Sequence, residues 1–135
     1  MIKVNIVPND SKKVAKVVII DDDNRVLMLK RSNYMEKFAG EWDLPGGHIR
    51  VGEEFKTGMK REVKEDTDLD VGDLKFIEKI DNLDFYYCIY NNDPIKISHE
   101  HTSFRFFAKK DLDPDKKFEK IAIKALEMKK WLKFL

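Results

Sequence analysis

The sequence predicts an α+β domain in which a mixed β-sheet is layered with helices, and three observations carry that prediction. Runs rich in β-branched and aromatic residues ("KKVAKVVII", "RVLMLKR", "DLKFIEKI", "LDFYYCIYN", "TSFRFFAKK") fall both before and after one internal helical pattern. That pattern repeats apolar residues at Phe55, Met59 and Val63. A second closes the chain, with Phe118, Ile121, Ala122, Ala125, Leu126 and Leu132 at near-helical spacing. With 135 residues, 42% of them hydrophobic, one core is the default, so residues 1–135 are read as a single domain. No repeat, low-complexity stretch or Pro/Gly/Ser-rich linker divides them.

In chain order, "DDDN" separates the first two β-branched runs, which therefore read as strands joined by a polar turn. The acids raise a calcium reading, but an EF-hand loop needs Gly sixth and Glu twelfth. Counted from Asp21, those places hold Val26 and Ser32. "SNYMEKFAGEW" follows as an irregular loop, and "DLPGGHIRV" as a Pro-Gly-Gly breaker with a short extended exit. The helix after it is expected to take Gly52 as N-cap, with Glu53 and Glu54 in its first turn, where the macrodipole favours negative charge.

Composition narrows the function. The 26 basic and 25 acidic side chains nearly cancel, so total charge gives no general attraction to nucleic acid or an anionic membrane. The single cysteine, Cys88, excludes an intramolecular disulfide framework. "MIKVNIVPNDSKK" has no apolar stretch of signal-peptide length, and the longest aliphatic run is "VVII". A soluble, cytoplasmic protein is the expectation.

The chemistry concentrates between Gly47 and Leu69, where eleven charged side chains and one histidine stand in twenty-three residues. At about 100° per residue, with Phe55 at zero, Glu62, Asp66 and Glu65 fall near roughly −20°, +20° and −80°, within or beside the apolar stripe. Like charges so placed repel unless cations share them. Gly58 lies in the same angular sector and leaves room there, although a mid-helix glycine costs ~1 kcal/mol relative to alanine. Acids on a helix beside a glycine turn fit a hard cation such as Mg²⁺ or Mn²⁺ shared with substrate phosphates. A solvated charged face, with Arg61 and Lys64 pairing nearby acids, fits the spacing equally well.

The order Gly47, five residues, Glu53, seven residues, then Arg61-Glu62-Val63-Lys64-Glu65-Asp66-Thr67-Asp68-Leu69 resembles the Nudix box, with "WDLPGG" as a similar lead-in. The resemblance covers about one-sixth of the chain directly. Asp66 stands where the box usually has Glu, which keeps the charge on a shorter reach. Asp68 replaces the usual Gly, and Asp visits the left-handed region more readily than most residues.

What the resemblance implies is an α/β/α sandwich that hydrolyses the diphosphate bridge of a nucleoside diphosphate linked to another moiety, such as ADP-ribose, a nucleotide sugar or a dinucleotide. It implies Mg²⁺ or Mn²⁺ held by Glu62, Glu65, Asp66 and the Gly46 carbonyl, with Glu53 assisting and Arg61 orienting a box glutamate. The general base comes from the box or from a later loop, which makes Glu65 and Glu100 of "SHEHTSFRFF" the candidates. The partner is a small-molecule nucleotide, and many relatives are dimers, so a homodimer is an expectation too. Nucleoside triphosphate or RNA 5′-end pyrophosphohydrolysis, and a sensing module that binds without cleaving, are the alternatives. An isomerase of isopentenyl diphosphate is disfavoured by size and by the lack of a cysteine motif.

Recognition is less legible. Lys30 and Arg31 end a strand and could meet phosphates. Tyr34, Phe38 and Trp42 could stack on a base, Trp42 fitting equally as a loop anchor in the core. His48, His99 and His101 sit in polar segments, where a histidine is normally solvated and could also touch phosphate.

Overall fold

The longest aliphatic run becomes the centre of the molecule. In the computed structural model, which describes Ile6 and residues 13–132, "VVII" lies in β1 (Val14–Ile20), and Val17 to Ile20 are all fully buried. Burial on both faces explains why this strand reads as a continuous hydrophobic run rather than an alternation. The polar turn reverses the chain into β2 (Val26–Arg31). Asp21 closes it, accepting from the backbone N–H of Asp23 (3.0 Å) and Arg25 (2.8 Å) and from Arg25 Nε (2.9 Å), so its oxygens serve the turn. Of the segment that opens the chain, only Ile6 and Lys13 lie among the described residues.

The remaining elements are β3 (Trp42–Asp43), β4 (Gly46–His48), α1 (Phe55–Thr67), β5 (Lys75–Ile80), β6 (Leu83–Ile89), β7 (His101–Phe107) and α2 (Lys117–Leu132). Among the described residues these strands form one mixed sheet in the order β3-β2-β1-β6-β5, with β4 added to β1 and β7 to β2. The β1–β6 pairing is parallel, the others antiparallel.

Side chains alternating along the strands feed two cores. Ala15, Val17, Ile19, Leu27 and Leu29 pack with Phe55, Met59 and Val63 of α1, the predicted stripe. Val18, Ile20, Val26 and Met28 pack with Ile121, Ala122, Ala125 and Leu126 of α2. The result is the expected sandwich of helix, sheet and helix. Leu132 departs from its predicted inward face and is 48% exposed at the end of α2.

The start of α1 also differs from expectation. Glu54, not Gly52, is the N-cap: its backbone is extended and its carboxylate accepts from Thr57 N at 2.7 Å, leaving no acid in the first turn. The macrodipole still meets a negative charge, supplied by the cap itself. Gly52 instead turns the preceding loop at φ +83°. At the other end Asp68 takes the left-handed conformation expected of it, φ 64°, and its N–H returns to Lys64 O at 2.8 Å. No described helix is long and apolar enough to cross a membrane.

Candidate active site

Two glycines shape the floor of the site for different reasons. β4 runs antiparallel to β1, with Gly46 opposite Lys16 and Gly47 opposite Ala15. At Gly46, φ is +138° and a Cβ would fall 2.1 Å from the Ala15 carbonyl oxygen, so only glycine lets the two backbones pass. At Gly47 a Cβ would fall 2.3 Å from Glu62 Oε2, so the missing side chain makes room for a carboxylate. The Gly46 N–H donates to Asp66 Oδ2 at 3.0 Å. Glu62 and Asp66, one helical turn apart on α1, thus both rest against the Gly46-Gly47 pair.

Arg61 organises the acids on the other side. Its Nε donates to Glu53 Oε2 at 2.7 Å and its Nη2 to Glu53 Oε1 at 3.0 Å, a two-point grip, while Nη1 donates to Glu62 Oε1 at 3.0 Å and Glu65 Oε1 at 3.1 Å. Nη2 also reaches the His48 carbonyl at 3.2 Å. These bonds, those from Arg61 foremost, hold the Glu53 carboxyl down at about 2, and the guanidinium is in turn held more firmly protonated by Glu53 first. Gly58 gives Glu53 its place: a Cβ there would lie 2.5 Å from Glu53 Oε1 and 2.9 Å from Ile49 Cγ2. Arg50 adds a long contact to Glu65, 3.9 Å, at the exposed rim.

Asp66 has a different environment. It is 7% exposed, and burial is the main cause that lifts its carboxyl to about 6, opposed by the Gly46 N–H, Lys16 and His101 and reinforced by Asp43. Asp43 is itself buried; burial would raise its pKa, yet the Lys16 charge and the neighbouring His101 bring it below the usual value. Lys16 Nζ lies 3.1 Å from Asp43 Oδ1 and donates to Leu44 O at 3.2 Å. Arg31 Nη1 lies 3.4 Å from Asp43 Oδ2, and His101 Nε2 3.7 Å.

The box acids do not stand as one cluster in this arrangement. Among the described residues no three His, Cys, Asp or Glu side chains are grouped so as to hold an ion in common. The guanidinium draws Glu53, Glu62 and Glu65 around itself, while Asp66 turns to the Gly46 N–H, because like charges separate toward whatever positive partner is nearest. The donor chemistry nonetheless suits a hard divalent cation. Every candidate is an oxygen, Asp66 is a buried carboxylate whose charge is incompletely offset, and the Gly47 cradle holds Glu62 beside it. Glu65 stands at the rim on Arg61, its side chain 51% exposed.

Glu100 sits in the turn before β7, and its exposed side chain makes no hydrogen bond or ion pair among the described residues. Among the recognition candidates, Lys30 is exposed, whereas Arg31 is engaged with Asp43 and, through Nε, with the Lys37 carbonyl at 3.0 Å. Tyr34 is 66% exposed and Phe38 65%, both on the loop that Arg31 braces. Trp42 takes the anchoring place: its ring meets Phe107 edge-on at 4.9 Å on the α2 side of the sheet, with Arg105 5.8 Å above it. His48 and His99 are exposed as expected for polar segments, but His101 is not: it is 5% exposed, as the first residue of β7. Pairing with Arg31 across the sheet draws it inward.

The grouping of half-buried Lys16 with the buried Asp43 and His101 was not anticipated. A signal existed, since a lysine within "VAKVVII" needs a buried partner, and an acid between Trp42 and Leu44 is a natural one.

A model of the NUDIX domain family matches residues 10–134. The chain belongs to the Nudix family. Among curated relatives, the ADP-ribose pyrophosphatase of Methanocaldococcus jannaschii is 37% identical over 76 residues, 56% of this chain and 40% of that protein. The chain therefore spans about two-fifths of the length of that Nudix relative. Solved structures share the fold. An ADP-ribose pyrophosphatase from Streptococcus suis 89-1591 superposes with a TM-score of 0.72 at 24% identity, covering 87% of this chain and 91% of that one. A MutT Nudix hydrolase from Burkholderia pseudomallei does so at 0.69 and 23%, covering 85% and 97%.

Proposed function

We propose that this Nudix chain hydrolyses the diphosphate bridge of a nucleoside diphosphate linked to a second moiety, of the ADP-ribose, nucleotide-sugar or dinucleotide class. The observation that supports the reading is the seating of Glu62 and Asp66 against the Gly46-Gly47 pair, beside an arginine that gathers the remaining acids. Glu62, Glu65, Asp66 and the Gly46 carbonyl are the oxygen donors that would hold Mg²⁺ or Mn²⁺. Such an ion, when bound, neutralises phosphoryl oxygens and lowers the pKa of a coordinated water. The chain's own groups do the rest. Glu53 and Arg61 fix one another and keep the helix acids oriented. Glu65 or Glu100 takes the proton as the water oxygen bonds to phosphorus and the bond to the bridging oxygen breaks, the leaving phosphate carrying off the electron pair. Tyr34 offers an exposed aromatic face and Lys30 an exposed cation for the substrate's base and phosphates.

The test is a panel of ADP-ribose, dinucleoside polyphosphates, nucleotide sugars, FAD and (d)NTPs, each with Mg²⁺ and with Mn²⁺, followed by chromatography of products. Nucleoside monophosphate from the bridged compounds is expected. Pyrophosphate from the triphosphates alone would move the activity to triphosphate hydrolysis, and no product from any compound would leave a sensing module.

A further inference from the structure

The turn that carries Glu100 is held from two directions. Upstream, Ser98 N donates to Asp66 O at 3.3 Å and Lys96 N to Thr67 O at 3.0 Å, so this segment rides on the end of α1 that bears the acids. Downstream it is clasped by the end of β2. Ser32, 2% exposed, donates its hydroxyl to the His99 carbonyl at 2.9 Å and its N–H to the Glu100 carbonyl at 2.8 Å. The Tyr34 hydroxyl donates to the same His99 carbonyl. The turn closes on itself through His101 N to Ser98 O, 3.1 Å, and Glu100 N to Ser98 Oγ, 3.3 Å.

A stretch such as residues 90–100, which has no regular structure, ordinarily moves freely at the surface. Here the carbonyls on both sides of the Glu100 amino group, its own and that of His99, are fixed. The buried Ser32 hydroxyl needs some acceptor, but that alone does not call for a second hydroxyl from an exposed tyrosine on the same oxygen. We propose that Ser32 and Tyr34 are positioning residues for Glu100, holding its turn against α1 so that its carboxylate meets the reacting water at the box acids. This rests on the reading of Glu100 as general base. Tyr34 thereby acquires two separable parts: a ring face open to substrate and a hydroxyl that fixes the catalytic turn.

The test is steady-state kinetics, on whichever compound of the panel is turned over fastest, of Tyr34→Phe, Ser32→Ala and Ser32→Thr, each alone and combined with Glu100→Gln. Tyr34→Phe and Ser32→Ala should each lower kcat by about tenfold with KM within about twofold, since loss of alignment acts on the chemical step. Ser32→Thr, which keeps a hydroxyl, should recover most of the loss. In the Glu100→Gln background neither should lower kcat further. Normal kcat in Tyr34→Phe and Ser32→Ala beside a slow Glu100→Gln would overturn the proposal and leave the base in place. Equal losses in both backgrounds would overturn it as well, by showing a purely structural effect. A Glu100→Gln enzyme with near-normal kcat would remove the base, and the positioning role with it. Tyr34→Phe changes an exposed side chain, so it reports even where Ser32→Ala fails to fold.

Discussion

The carboxylate of Glu53 occupies the space that a side chain on Gly58 would need, Oε1 standing 2.5 Å from where that Cβ would be. Gly58→Ala therefore sets two effects against each other. By backbone propensity alone, alanine in place of a mid-helix glycine is favoured by about 1 kcal/mol. Here it must push Glu53 off Arg61 or Ile49 out of the core. We expect no rise in Tm and a drop in kcat of about tenfold, because the Arg61 network loses its anchor. A variant melting several degrees higher with full activity would refute the conflict.

The Glu53–Arg61 grip has a pH signature. In the fold the Glu53 carboxyl is lowered from an ordinary 4.5 to about 2. A lowered acid contributes stability that is complete above its unfolded pKa and is lost as pH falls through the folded one, here between about 4.5 and 2. Glu53→Gln lacks that contribution. The wild type should melt above the variant at pH 7, and the gap should close as scans move toward pH 2. A gap that stays constant with pH would assign the difference to packing.

Asp66 titrates in the opposite sense. Its carboxyl is raised from an ordinary 3.8 to about 6, chiefly by burial, so its protonation favours the fold and that stability is lost as pH rises through about 6. Two outcomes follow for Asp66→Asn. Metal-free variant should be at least as stable as wild type at pH 7.5, and its Mn²⁺ affinity should be weaker. With Asp66 in the proposed ligand set, a proton would compete with the cation, so Mn²⁺ titrations followed by electron paramagnetic resonance should show at least about tenfold weaker binding at pH 5 than at pH 7.5. Unchanged affinity in the variant would take Asp66 out of the ligand set.

Lys16 and Asp43 form an inward pair, with side chains 11% and 5% exposed. Removing Lys16 leaves the buried Asp43 carboxylate with only the longer contacts to Arg31 and His101, and Lys16→Met should cost about 2 kcal/mol in denaturant unfolding. The paired change Lys16→Met with Asp43→Leu should recover a large part of it. Strict additivity of the two single effects would mean that the charges are not coupled.

Much of this architecture is written in local pattern. Phe55, Met59 and Val63 mark the face of α1, "VVII" the doubly covered strand, and the spacing from Gly47 to Leu69 the helix that carries the acids. Asp68 declares the helix end because few other residues accept a left-handed backbone. What stayed hidden depends on distant parts meeting. Glu54 displaces Gly52 as cap because its own carboxylate reaches Thr57, a competition between neighbours that propensity does not rank. Arg61 gathers the glutamates because of a guanidinium geometry that helical angles alone do not express. His101 goes inward, and Ser32 meets His99, only once β2 and β7 are paired.

The parallel match of β1 with β6, Val14 beside Leu83 through Ile20 beside Ile89, bears on how the chain reaches this state. The two partners are about seventy residues apart, so their meeting carries a large loop-closure entropy and belongs to the slow, topology-limited class of folding events. On a ribosome, β1 and β2 emerge well before β6 and β7, leaving both flanks of the most aliphatic ribbon of the protein open. In that interval the nascent chain is at its greatest risk of self-association, and a chaperone that shields extended apolar segments would have its main effect there.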